Sequence, residues 1–250
     1  MILEMFILIV VLALVMETID SSLGMMYGTI LSPVLVSMGF APLEVIPAIL
    51  LSQALGGLTG SISHHKLKNA NFSGLSKDTK IGLAMIIPGI LVVIFGVMVA
   101  ISVSVIFVKT YIAIIVLVMS ILCLSPLKYK FAWWKHYTLG ALAGFNKAMS
   151  GGGFGPVTST GGIVGGLSAK VSIATTTFAE LFVCLAGFIA YLFMKGVDVA
   201  LIIPLSIGAM VGGVVGAYFC SKGNHSILRK AIGALGIISG LWLILKTWII

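Results

Sequence analysis

The sequence predicts an all-α polytopic membrane protein, a single membrane domain over residues 1–250. It is built as two inverted repeats, each a broken, re-entrant helical hairpin followed by three transmembrane helices. Three observations carry this reading. Hydrophobic residues make up 60% of the 250 and charged residues 9%, where a soluble domain carries about 25% charged. The stretch Gly144–Gly166, GFNKAMSGGGFGPVTSTGGIVGG, lies between long apolar runs yet cannot continue as one helix. Its pattern also recurs from an earlier position in the chain, which makes the interruption a repeated feature.

The composition excludes several classes. The formal net charge of +8 is no nucleic-acid signature, because the basic residues sit mainly in short loops between apolar runs. Cys123, Cys184 and Cys220 are scattered inside apolar runs and read as packing residues. A removed signal peptide is not expected, since the first apolar run starts at Ile2 without a basic leader, and Glu17 and Asp20 stand where a small-residue cleavage site would be.

The elements follow in order. Residues 2–19 are apolar and close on Glu17, Asp20, Ser21 and Ser22 before Gly24 and Gly28, and a shorter apolar piece runs to about Gly39. Spans are predicted at 42–64, 81–103 and 110–126, each long enough for a hydrocarbon core of about 30 Å. Basic loops hold His64, His65, Lys66, Lys68, Lys77 and Lys80, then Lys128, Lys130 and Lys135. The broken element at 136–166 is interrupted by Gly151-Gly152-Gly153, Gly155-Pro156 and Gly161-Gly162. Backbone groups freed there have no partners in lipid, so the break is buried in protein or lines a wet cavity. Spans at 171–194, 199–221 and 231–250 complete the chain, with Lys222, Arg229 and Lys230 in the last loop.

Aligning Tyr27-Gly28 with Phe154-Gly155 brings Gly24 onto Gly151, Gly39 onto Gly166, Lys68 onto Lys195 and Asn71 onto Asp198 without a gap. Asp20 then meets Lys147 and Gln53 meets Glu180; further on, Ile86-Ile87-Pro88 matches Ile202-Ile203-Pro204 with a shorter spacing. Repeat 1 covers about residues 1–127 and repeat 2 about 128–250. Placing the basic loops at 64–80, 127–135 and 222–230 in the cytoplasm leaves both termini outside. Each half then makes an odd net number of crossings, so the halves have opposite orientation, an architecture used by many secondary transporters.

The polar residues inside this framework are the candidate site. Lys147, with Asn146, Ser150 and the amides of Gly151, Gly152 and Gly153, has the makings of an anion cradle: exposed N–H groups at a half-helix start plus an ammonium. A second reading makes Lys147 the static ion-pair partner of Asp20, bracing the two hairpins. Glu180 lies one turn beyond Thr176 on one helical face, next to Thr175, and an acidic residue in mid-span is a functional candidate. Asp20 and Glu180 are the candidates for proton or ion coupling, and Gln53 binds or braces. Ser21, Ser22 and Gly24 are the equivalent positions in the first hairpin. Glu17 reads as packing near the break, and His64, His65, His136 and His225 as interfacial residues. The spacings Gly56/Gly60, Gly212/Gly216 and Gly236/Gly240 read as helix-packing contacts, within one monomer or between copies in a homo-oligomer. No catalytic triad, nucleotide loop or metal-ligand cluster is expected, and no cofactor. The glycine run lacks the Gly-Lys-Ser/Thr ending of a phosphate loop.

Ser22-Leu23-Gly24 through Gly28 and Pro33 in the first half, and Ser150-Gly151-Gly152-Gly153 through Gly155 with Thr175-Thr176-Thr177 in the second, resemble the TauE/SafE sulfite exporter family. The first half departs from the pattern, with Gly24-Met25-Met26-Tyr27 where members often have a glycine cluster. The resemblance covers nearly the whole chain. It implies a multi-pass prokaryotic inner-membrane carrier, not an enzyme, that exports sulfite or a small organosulfonate. Its partners would then be a small sulfur-containing anion and the lipid bilayer, with no nucleic acid. A small-anion channel and a non-transporting membrane scaffold are the two other classes; saturable flux separates a carrier from the first, and any flux at all separates it from the second.

Overall fold

The structure is a computed structural model. It describes residues 3–124, 132–197 and 199–222, and in the last stretch 234, 237, 238, 240–245, 247 and 248. Lys128, Lys130, Asp198, His225, Arg229, Lys230, Gly236 and the Cys123 side chain lie outside the described residues.

Among the described residues the chain forms α1 (Leu3–Leu23), α2 (Tyr27–Ser37), α3 (Pro42–Lys66), α4 (Lys77–Ser102) and α5 (Val105–Leu124). These are followed by α6 (Trp133–Ser150), α7 (Phe154–Val164), α8 (Ala169–Met194) and α9 (Val199–Lys222). Residues 240–245 are helical as well. Local chemistry sets several starts. Pro42 opens α3, where proline's missing N–H costs nothing. Ser76 caps α4 by accepting from the Thr79 amide at 3.1 Å, and Ser168 caps α8 through Val171 at 3.3 Å.

The helix boundaries recur. The ends of α1 and α6 (Leu23, Ser150), the starts of α2 and α7 (Tyr27, Phe154) and the starts of α3 and α8 (Pro42, Ala169) are each 127 residues apart. Both breaks use the left-handed region: Gly24 has φ 72° and Gly151 φ 69°. At the next such position the second break has Gly153 at φ 76°, while the first has Met26 at φ 119°, a conformation that costs a side-chain-bearing residue strain.

Packing follows the same correspondence. α1 lies along α9 and α6 along α4, while α3 and α8 meet in the middle of the molecule. At one end, Asn69, just past α3, donates to the Ala217 carbonyl of α9 at 3.0 Å. Lys170, at the start of α8, reaches Ser221 O at 2.8 Å. The end of α3 and the start of α8 therefore share one face, and these two helices run in opposite directions.

Four described helices, α3, α4, α8 and α9, are long and apolar enough to cross a membrane. α4 turns Ile87, Leu91, Phe95 and Met98 outward, and α9 does the same with Ile203, Ile207, Met210 and Val214. Stripes of large exposed apolar side chains on several helices suit a bilayer as solvent and would be a liability in water.

Candidate functional site

The two breaks touch each other backbone to backbone. A Cβ on Gly28 would overlap the Gly151 carbonyl, and one on Gly152 would overlap the Gly28–Thr29 peptide. Only glycine permits that approach. Thr29 ties the crossing by accepting from the Gly153 amide at 3.1 Å. The other two amides of the triple glycine are also engaged: Gly151 donates to Lys147 O at 2.9 Å, and Gly152 to Ser150 Oγ at 3.1 Å. The expectation of exposed donors at 151–153 is therefore corrected. Each amide has a partner in this arrangement, because the turn and the neighbouring hairpin supply acceptors within reach.

Beside the crossing lies a buried polar chain. The Asp20 carboxylate accepts from the Tyr27 amide, the first of α2, at 2.9 Å, and from Gln53 Nε2 at 3.2 Å. Gln53 Oε1 in turn accepts from the Lys147 ammonium. Lys147 Nζ reaches Glu180 Oε1 at 2.7 Å, with the two side chains 0% and 3% exposed. A carboxylate on one side and an ammonium on the other fix the orientation of the Gln53 amide. Gln53 and Glu180 stand near the middle of α3 and α8, so all four residues lie at mid-depth.

Lys147 therefore pairs with Glu180 and not with Asp20. The reason is geometric: α8 brings Glu180 to the ammonium, whereas Asp20 is held by the start of α2 and by Gln53. The repeat has a chemical asymmetry here. A carboxylate occupies the positive start of α2, but the position equivalent to Asp20 is Lys147. Among the described residues, no carboxylate accepts from the first amides of α7.

The remaining predicted site residues divide. Asn146 is buried and accepts from the Tyr111 hydroxyl of α5. Ser150 Oγ donates to Asn146 O at 2.7 Å. The Thr175 hydroxyl turns back into its own helix, onto Val171 O at 2.8 Å, while Thr176 Oγ1 is buried with no partner among the described residues. Ser22 bonds back to Ile19 O at 2.9 Å. Ser21 donates to Gly213 O at 2.9 Å and meets His64 Nε2 at 3.3 Å. Gly24 packs against Ser159 and Gly155 of α7.

Sequence reasoning missed three participants: Thr29, Glu17 and His64. Thr29 holds the crossing, and its position two residues after the break was the available signal. Glu17 is 1% exposed; it lies one turn before Asp20, a spacing that puts both on one face of α1. His64 and His136, expected as interfacial residues, are 0% and 1% exposed and so are buried within the protein at their helix ends; His64 is held there by Ser21 and Asn69. His65 is exposed.

Two broken hairpins crossing at glycine, with an ion pair and two bridging polar residues buried beside the crossing in a lipid-facing helical bundle, define a polytopic membrane transporter. The model of the Sulfite exporter TauE/SafE family matches residues 8–243, and the chain belongs to that family. It is 24% identical over 253 residues to the Probable membrane transporter protein YtnM of Bacillus subtilis (strain 168), covering 95% of this chain and 82% of the relative. No solved structure matches the chain.

Proposed function

We propose that this chain is a secondary carrier that exports a small sulfur-containing anion, sulfite or an organosulfonate, across the prokaryotic inner membrane by alternating access. Its halves, residues 1–127 and 128–250, act as inverted repeats about the crossing of the two breaks. The recurrence of helix boundaries at 127 residues and the opposite directions of α3 and α8 support that reading.

The observation that carries the anion assignment is the asymmetry between the two helix starts. The start of α2 holds a resident carboxylate, Asp20, whereas the start of α7 has Lys147 at the equivalent place and an ammonium that an anion can claim. A helix start beside a lysine is the standard chemistry for holding a compact oxyanion. In this reading Glu180 occupies Lys147 while the carrier is empty. A proton on Glu180 releases the ammonium, and the anion replaces the carboxylate. Asp20 is the second coupling carboxyl. Gln53, Ser150, Thr175, Thr176 and Asn146 are the neutral groups from which the remaining oxygen contacts are drawn, with the amides of Gly151–Gly153 freed as the break relaxes. Gly24 keeps the first hairpin in register against the second through its contact with Ser159 and Gly155 of α7, while Ser21 and Ser22 are bonded away from the crossing, to Gly213 O and Ile19 O.

The experiment is a thermal-shift and equilibrium-binding screen of purified protein against sulfite, sulfate, thiosulfate, sulfoacetate, taurine and chloride. Saturable stabilisation by one or more sulfur oxyanions is expected, and weaker stabilisation in Lys147→Ala. Stabilisation equal for every anion, and equal in the variant, rejects the assignment.

A further inference from the structure

A second polar ladder leaves the central site along the seam of α1, α3 and α9. Glu17 and Ser21 are successive turns of α1, facing Gly56 and Gly60 of α3 on one side and Gly212 and Gly216 of α9 on the other. A Cβ on Gly56 would lie 2.8 Å from Glu17 Cδ, so the small-residue stripes leave the room these side chains fill. Glu17 Oε2 is buried with no hydrogen-bond partner among the described residues. One turn beyond Gly60, His64 continues the line. Asn69 Nδ2 meets its Nδ1 at 3.0 Å and also donates to Ala217 O, so Nδ1 is the acceptor and Nε2 carries the hydrogen toward Ser21 Oγ. Asn69 in turn lines a cleft of about 280 Å³ with His65, Lys68, Asn71 and Asp78, on the face where α3 and α9 end.

The other half of the molecule has the same contact without the chemistry. The residues 127 positions after Glu17, Ser21 and His64 are Gly144, Ala148 and Tyr191. Tyr191 donates to the Ala148 carbonyl at 2.7 Å, which closes the end of α8 on the end of α6 as His64 closes α3 on α1. One face of the molecule thus carries a carboxyl, a hydroxyl and an imidazole in line, while the opposite face carries hydrogen, methyl and phenol. A structural brace alone would not need the difference.

We propose that His64, Ser21 and Glu17 form a one-sided proton route, with Glu17 the carboxyl that takes up the entering proton ahead of the coupling carboxyls Asp20 and Glu180, serving the carrier function proposed above. A proton arriving from the cleft binds Nδ1 as Asn69 releases it. The Nε2 proton passes to Ser21 Oγ. The hydroxyl's own proton turns from Gly213 O toward the preceding turn and goes to the Glu17 carboxylate, so one proton enters for each one delivered. The ionisable groups near Glu17 are Asp20 on α1, Tyr27 on α2, Lys147 on α6, and Cys184 and Glu180 on α8; α3 and α9 set Gly56 and Gly212 against it. The side-chain partners of His64 are Ser21 of α1 and Asn69 of the loop, both uncharged, and these two are themselves tied to the α9 carbonyls of Gly213 and Ala217. The neighbouring His65, Lys66 and Lys68 point to solvent.

The test uses full-length protein in proteoliposomes with sulfoacetate as the probe and a pH dye inside. Glu17→Gln, His64→Gln and Ser21→Ala are compared with wild type for two processes: sulfoacetate counterflow without a pH gradient, and uptake driven by one. Gln at 64 still accepts from Asn69 and donates to Ser21, so it keeps the latch and removes the titration. The expected result is counterflow within twofold of wild type in all three, with gradient-driven uptake and dye response reduced at least tenfold. Gradient-driven uptake equal to wild type overturns the route, as does equal loss of both processes in the folded variants. If wild type shows no counterflow for any anion, the carrier reading fails by itself. The route is then decided by infrared spectroscopy. A protonated-carboxyl band present in wild type and missing in Glu17→Gln supports it, and its absence from wild type overturns it.

Discussion

Removing the central cation gives the most informative perturbation. In Lys147→Met, Glu180 keeps its place in the interior without the ammonium 2.7 Å away, and Gln53 Oε1 loses its donor. Breaking a buried pair by deleting one partner costs about 3–5 kcal/mol, mostly the stranded charge. For a chain of this length roughly 2–4 °C accompany each kcal/mol, so the melting temperature falls by on the order of 10 °C. Adding Glu180→Gln removes the stranded carboxylate and recovers about 0.5–3 kcal/mol, the range seen for residues in direct contact. Adding Asp20→Asn instead recovers nothing, because Asp20 is held by Tyr27 N–H and Gln53. The assay is a set of fluorescence melts in one detergent on wild type, the three single variants and the two double variants. Recovery with Asp20→Asn and none with Glu180→Gln would refute the pairing and, with it, the argument from helix-start asymmetry.

Other consequences are tested separately. Gly28→Ala and Gly152→Ala each force the crossing of the breaks apart, since the added Cβ meets backbone; transport is lost in both, while Phe193→Ala, on a side chain 84% exposed, transports as wild type, and activity in either glycine variant contradicts the crossing. Single cysteines at Lys66 and Lys222, in a cysteine-free background, are labelled from the cytoplasmic side, and one at Glu44 from outside; labelling of Lys66 and Lys222 from opposite sides removes the inverted-repeat reading. Asp20→Asn and Glu180→Gln lose the response of uptake to a pH gradient, so an undiminished response in both rejects coupling through them.

The parts of this molecule legible in the sequence are those governed by the backbone. Gly24 marks the first break and the run Gly151–Gly153 the second, because few other residues adopt the left-handed conformations of Gly24, Gly151 and Gly153. The 127-residue correspondence of Tyr27 with Phe154 survives in the helix starts because Pro42 and Ser168 lie at matching helix entrances. The choice among side-chain partners was not legible. Asp20 and Glu180 are both carboxylates at similar depth, and only the packing of α8 beside α6 decides which one meets Lys147. His64 lies in a basic, apparently polar stretch, yet Asn69, Ser21 and the end of α9 close over it. Glu17 reads as packing until Gly56 and Gly212 are seen to leave it a berth in which Oε2 has no partner among the described residues.

The central claim is that Lys147 serves a transported anion and not only the fold. Counterflow of labelled sulfoacetate into preloaded proteoliposomes tests it most directly, comparing wild type with Lys147→Arg, which keeps the charge, and Lys147→Gln/Glu180→Gln, which leaves no stranded charge. The account predicts saturable, transient accumulation in wild type, reduced but measurable accumulation in Lys147→Arg, and none in the neutral double variant although it remains monodisperse. Accumulation in that double variant equal to wild type, or flux that never saturates with anion concentration, would contradict it.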